Sequence, residues 1–96
     1  MNSDNLRVFL RVAEAGSVSR AGALLGLPKS TVSRQVARLE AKAGTALLER
    51  APEGMRPTDA GRVLLDHAQQ MVELLDEASA SMQAAGATPR GVLRVN

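Results

Sequence analysis

The sequence predicts a mainly α-helical fold: three helices, a short two-stranded hairpin, then one long helix. Three observations predict it. Apolar residues recur at helical spacing through the first half of the chain, and Gly16, Gly26 and Gly44 punctuate them. After Thr58 an apolar stripe then runs for some 27 residues without a break. A chain of 96 residues suits one small domain. At this size only about 60–70% of the unfolded surface is buried, so part of the chain can depend on a partner.

The first helix is expected from about Asp4 to Ala15, with Leu6, Phe9, Leu10, Val12 and Ala13 at helical spacing. Ser3 or Asp4 can cap its first amides, and Gly16 ends it. A short second helix is expected to take Ser19 as N-cap, to turn Ala21, Leu24 and Leu25 inward, and to stop at Gly26. The third helix begins in the stretch LPKSTVSRQVARLE, Leu27 to Glu40, and continues to Gly44. Pro28 suits its entry, and the hydroxyls beside it suit the cap. At about 100° per residue, Val32, Val36, Leu39 and Ala43 gather on one side. Ser30, Thr31, Arg34, Arg38 and Ala41 gather on the other, with Ser33 on the flank. The tight LGLPK junction before this helix reads as a helix-turn-helix over about residues 19–38.

Beyond Gly44 the helical period fades. TALLER and GMRPT flank the turn-forming APEG, so residues 46–58 or thereabouts are expected to form a two-stranded wing carrying Arg50 and Arg56. Strands this short are weak alone and must lean on the helices. Residues 1–58 therefore read as a winged helix-turn-helix domain. Thr58 then caps a long helix over 59–86, with Asp59 in its first turn. Leu64, Ala68, Met71, Leu75, Ala78, Met82 and Ala85 recur at alternating spacings of four and three, which is a heptad seam. The helix is too long for its own domain to cover. The seam, from Leu64 to Met82, is therefore expected to bury itself in a homodimer. Residues 87–96 read as a hinge and, in GVLRVN, the opening strand of something further.

Composition narrows the function. The formal charge of +2 hides an asymmetry: residues 1–58 hold nine Lys/Arg against five Asp/Glu, and residues 59–88 hold one against five. A basic first half implies a polyanionic partner. There is no cysteine, hence no disulfide framework and no thiolate metal site, which suits a reducing cytoplasm. No apolar segment is long enough to span a membrane, and charges interrupt the apolar run of the N-terminus, unlike a secretory signal. Phe9 is the sole aromatic, which argues against a module that stacks bases. His67, the only histidine, has Asp66 beside it but no set of metal-ligand partners. The serines of the first half lack a base and an orienting group, and no glycine-rich phosphate loop is present. Neither an enzyme nor a cofactor is expected.

The third helix carries the functional expectation. Its short side chains leave the backbone free to approach a groove wall, and over residues 29–42 it is expected to enter the major groove of double-stranded DNA. There Arg34 and Arg38 can bind guanine bidentately, while Ser30 and Thr31 can donate to phosphate alongside free backbone amides. Lys29 can contact a phosphate or a base or be a plain surface lysine, with phosphate the favoured reading, and Arg56 is expected near the minor groove. Arg50 either joins Arg56 there or pairs with a nearby carboxylate. A dimer presents two such helices to one face of the duplex, one turn or a multiple apart, which suits an interrupted inverted repeat. Two rival readings are a protein–protein coiled-coil module with a merely solvated basic helix, and a nonspecific architectural DNA binder.

In this order and spacing the motifs resemble those of the bacterial LysR-type transcriptional regulators. The run LRVFLRVAEAGSVSRAGALLGLPKSTVSRQVARLEAKAGTALLER is similar to that family's N-terminal signature. RPTDAG is similar to its wing-to-helix junction, and GVLRV to the first strand of its effector-binding domain. The resemblance implies a winged helix-turn-helix, a linker helix that dimerises by antiparallel packing, and a tetramer in the full protein. It implies a small-molecule inducer only through the effector domain that this chain lacks, and a cytoplasmic, nucleoid-associated location in a bacterium. It also implies that Lys29, Ser30, Ser33 and Arg34 face bases or phosphates, with Arg56 near the minor groove. The chain departs from the family pattern at Pro28-Lys29-Ser30, where many members carry Ser-Gln-Pro. Lysine donates to guanine or phosphate, whereas glutamine reads adenine. Val18 and Leu48 stand where phenylalanines are common, as core substitutions.

Overall fold

Four helices and one hairpin follow one another as α1 (Ser3–Ala15), α2 (Val18–Leu25), α3 (Lys29–Ala43), β1 (Leu48–Ala51), β2 (Gly54–Pro57) and α4 (Asp59–Gly86). They are seen in a computed structural model that describes residues 3–86. The hinge and strand expected at residues 87–96 lie outside the described residues. The fold is a winged helix: α1 to α3 around one core, a two-stranded antiparallel wing, and α4 leaving it.

The core forms around α1, against which α2, α3, β2 and α4 all pack. Leu6, Val8, Phe9 and Val12 are buried, and they meet Ala21, Val32, Val36, Leu39, Leu47, Leu48 and Ala68. Val8 lies off the expected stripe and is buried because α1 has neighbours on several sides. Leu10 is only partly buried against this core.

Gly16, at φ 71°, ends α1, and the next residue already caps α2. The N-cap is Ser17, not Ser19: its Oγ accepts from the Arg20 amide at 3.1 Å. An N-cap oxygen reaches the amide three residues on, and an extended Ser17 directly after the glycine is placed to do so. Leu24, expected inward, is 62% exposed, and Ala21 and Gly22 are the buried residues of α2. Gly22 permits the tight turn, since a Cβ there would stand 2.7 Å from the Leu27 carbonyl oxygen.

Pro28 itself occupies the N-cap position of α3 in an extended conformation, and no side chain caps this helix. The hydroxyls of Ser30 and Thr31 lie inside the first turn, so the capping expected of them does not occur. Val32, Val36 and Leu39 are buried as expected, whereas Ala43 at the end of the helix is exposed.

The wing pairs Leu48 with Pro57, Glu49 with Arg56, Arg50 with Met55 and Ala51 with Gly54. Four residues per strand do not hold themselves; three attachments hold them. Glu40 of α3 accepts from the Leu47 and Leu48 amides at 2.8 and 3.2 Å. The Met55 amide donates to the Gly16 carbonyl at 2.9 Å, and the Thr58 amide to Leu47 at 3.1 Å. Thr58 also caps α4, its Oγ1 accepting from the Gly61 amide at 3.0 Å while donating to the Ala46 carbonyl at 2.7 Å.

Helix α4 has 28 residues, about 42 Å at the standard rise. Gly61 and Ala68 are buried against the chain's own core, and Leu64, Leu65 and Val72 are partly so. Arg7 of α1 pairs with Asp76 at 2.7 Å. That carboxylate raises Arg7 above the ordinary arginine range, first through the hydrogen bond and then through its charge. Beyond this point α4 projects without cover. Ala68, expected in the dimer seam, has no exposed surface and is a core residue instead. The seam pattern did not distinguish the two faces, because a small residue suits close approach to either neighbour.

Candidate nucleic-acid interface

With Val32, Val36 and Leu39 turned inward, the remaining positions of α3 divide into three strips at about 100° per residue. Ser30, Arg34, Ala37 and Ala41 point away from the core and are exposed. This strip is narrow because three of its four side chains are no longer than serine. Lys29, Ser33 and Glu40 lie on the flank facing the wing, where Glu40 makes its bonds to β1. Gln35, Arg38 and Lys42 lie on the other flank, beside the start of α1.

The first turn of α3 is chemically open. The Thr31 and Val32 amides both bond the Pro28 carbonyl. Those of Lys29 and Ser30 have no partner among the described residues, and a helix N-terminus of this kind favours an anion. Thr31 is half-buried, which leaves Ser30 and Ser33 as the more accessible hydroxyls.

The charges separate in the same way. Arg7, Arg11, Arg56 and Arg62 are paired with Asp76, Glu14, Glu49 and Asp59. Among the described residues, Arg20, Lys29, Arg34, Arg38, Lys42 and Arg50 have no carboxylate partner. Each of these described cations thus sits on α3, on α2 before it, or on the wing beside it. The wing reverses the expected pairing. Arg56 is held by Glu49 at 3.0 Å across the strands, and Arg50 is the unpaired arginine. Directly opposed residues on antiparallel strands lie close enough to pair, and the register opposes Glu49 to Arg56.

Arg50 faces Lys29 and Ser33 across a cleft of about 280 Å³, which Ser17 and Ser19 also line. Sequence reasoning left out Lys42, although its spacing of four from Arg38 carried the signal, and it left out the part of Ser17. His67 stands apart on α4, exposed, its Nδ1 3.0 Å from the Val63 carbonyl oxygen. The remaining seam residues, Met71, Leu75, Ala78 and Met82, are exposed, and so is Leu74 beside them. They form a stripe turned roughly 100° from the face that Gly61, Leu65, Ala68 and Val72 turn to the core.

Residues 3–62 match the family described as "Bacterial regulatory helix-turn-helix protein, lysR family". The chain is 40% identical over 95 residues to an uncharacterised HTH-type transcriptional regulator, YusT, of Bacillus subtilis, covering 99% of this chain and 32% of that protein. It is 41% identical over 95 residues to the HTH-type transcriptional regulator CrgA of Neisseria meningitidis, with the same coverage of 99% and 32%. The chain thus spans about a third of the length of these relatives. Its fold matches that of CbnR, a LysR family transcriptional regulator, with a TM-score of 0.86 at 35% identity over 90% of this chain and 30% of that one. It also matches the CbnR_DBD–DNA complex, with a TM-score of 0.82 at 35% identity over 88% of this chain and 98% of that one. Winged helix-turn-helix, unpaired cations around one helix and this sequence match agree: the chain belongs to the LysR family of bacterial regulatory helix-turn-helix proteins.

Proposed function

We propose that the chain is the sequence-specific, double-stranded-DNA-binding part of a dimeric transcription regulator. The observation that carries this reading is that, among the described residues, the unpaired cations gather on and around α3, while the other arginines are neutralised by neighbours. In this reading α3 enters the major groove with its strip of short side chains foremost. Arg34 reads a base edge, and Ser30 and the free amides hold a phosphate. Lys29, Ser33 and Arg50 bind the backbone on the wing side, Thr31 and Arg38 assist on the other side, and the wing lies along the minor groove. Arg50 takes the role that sequence alone gave to Arg56, since it has no carboxylate to leave.

The exposed stripe of α4, from Met71 through Leu75 and Ala78 to Met82, serves the homodimer in this reading. Leu74 at 62%, Leu75 at 45% and Met82 at 67% exposure leave this apolar strip without cover from its own domain. Leu64, partly buried already, borders both neighbours. The dimer sets two α3 helices against an interrupted inverted repeat. The full protein works at the bacterial nucleoid in the cytoplasm, as a dimer or tetramer, with its inducer bound by a further domain. The test is selection from random duplex DNA followed by sequencing of what the chain retains. An enriched inverted repeat is expected. Retention without a motif would reduce the site to a charge-driven binder, and no retention at physiological salt would refute DNA binding.

A further inference from the structure

A helix lying in a major groove meets two phosphate walls, one on each flank. The wing-side flank of α3 has Lys29 and Arg50 for one of them. On the opposite flank a second cleft, of about 550 Å³, lies between α3 and the first turn of α1. Arg38 and Lys42 line it from α3, and Asn5 lines it from α1. Asn5 is the one buried polar side chain of the core region, at 4% exposure, and its amide has no hydrogen-bond partner among the described residues.

An unpaired amide in that position is costly to the fold, and a leucine of similar size would avoid the cost. A buried polar group of this kind calls for a partner that arrives from outside. Neither Arg38 nor Lys42 has a carboxylate partner, and the first turn of α1 adds its positive end to theirs. Gln35 completes the donors, and Asp4 is the one acidic side chain on the lining. Two cations against one carboxylate leave the cleft basic.

We infer that this cleft binds a backbone phosphate of the DNA strand on the side of α3 away from the wing, with Asn5 donating to it and Arg38 and Lys42 neutralising it. The inference rests on the proposed entry of α3 into the major groove. It makes Asn5 and Lys42 contacts that position the helix without reading sequence.

The test compares the unaltered chain with Asn5→Leu, Lys42→Ala and Arg34→Ala on the duplex it selects. Asn5→Leu is expected to weaken binding about tenfold on every duplex, the size of one hydrogen bond to a charged group, with base preference unchanged. Its melting temperature is expected to stay level or rise. Lys42→Ala is expected to lower the log–log salt slope by about 0.9, as one phosphate contact does. A scan of neutral methylphosphonate linkages then locates the phosphate: one position weakens the unaltered chain by more than it weakens Asn5→Leu or Lys42→Ala. Should Asn5→Leu melt early, exposed Lys42→Ala and the linkage scan decide alone. Unchanged affinity of a stable Asn5→Leu, or a scan with no such position, would overturn the phosphate site. If Arg34→Ala still loses base preference in that case, α3 entry stands and only this inference fails. If the unaltered chain selects no duplex, both fail together.

Discussion

Replacing Gly61 by alanine should destabilise the fold, although helix propensity argues for the opposite. Gly61 lies in the first turn and a half of α4, where exchanging glycine for alanine ordinarily gains about 1 kcal/mol. Here the added Cβ would overlap the Leu47 carbonyl oxygen and press on the Pro57 side chain, 3.2 Å away. The overlapped atom is backbone, so the helix or the start of β1 must move. That motion pulls on the Thr58–Leu47 hydrogen bond of 3.1 Å and on the Thr58 bond to Ala46 of 2.7 Å. Overpacking costs about 1–3 kcal/mol, and two weakened hydrogen bonds cost about 1 kcal/mol each. Less the propensity gain, the net loss is about 2–4 kcal/mol. For a domain of this size that lowers the melting temperature by about 10–25 °C. Circular dichroism melts and urea titrations measure it. Gly86→Ala is the control, since a Cβ there meets nothing within 4 Å, and should stay within about 0.5 kcal/mol. A Gly61→Ala chain as stable as the original would refute the close contact between α4 and β1.

Three further predictions concern the interface and its supports. Arg34→Ala should cost about 1–3 kcal/mol on the selected duplex and relax preference at one base pair, read by competition binding; unchanged affinity would remove Arg34 from the bases. Leu75→Asp puts a charge in the middle of the exposed α4 stripe and should yield monomers in sedimentation with the winged domain still folded by circular dichroism, whereas a surviving dimer would rule the stripe out. Glu40→Ala leaves the half-buried Leu47 and Leu48 amides without their acceptor and should cost about 2–3 kcal/mol. Hydrogen exchange should quicken first at those two amides, and Glu40→Gln should restore part of the protection.

The helices and the wing were legible because each rests on a local rule. Apolar spacing of three and four, three glycines at φ near 70°, and a Pro-x-Gly turn all act within a few residues. The misreadings came from tertiary context. Leu24 fits an apolar stripe, yet α2 is too short to bury it along with Ala21. Ser19 and Ser17 are equally good caps as residue types, and only the abrupt end of α1 at Gly16 decides between them. At the interface, the spacing on α3 marked the outward strip but could not tell which arginines were spoken for. The choice of Arg50 over Arg56 depends on strand register, a fact about two segments at once. Asn5 gave no signal in the sequence, because a polar residue in a first turn is ordinarily exposed.

The same attachments that stabilise the wing make α3 and the wing one body. Glu40 holds β1 from the last turn of the helix that carries Arg34, and Gly16 holds β2 from the turn that carries the cap of α2. Lys29 and Arg50 are thereby held on one body, to which the root of α4 is joined through Thr58 and Gly61. α4 is fixed to that body only up to Asp76, and its exposed pair with Arg7 adds at most about 1 kcal/mol. Packing of Gly61, Ala68 and Val72 must then set the direction in which the last ten residues of α4 project, since Glu77 to Gly86 are all exposed. A helix end some 15 Å long, apolar on one strip and unsupported by its own domain, gains its burial from outside. Base reading thus rests chiefly on the bonds around α3 and the wing, and dimer spacing on the packing of Gly61, Ala68 and Val72 at the root of α4, with Thr58 shared between the two.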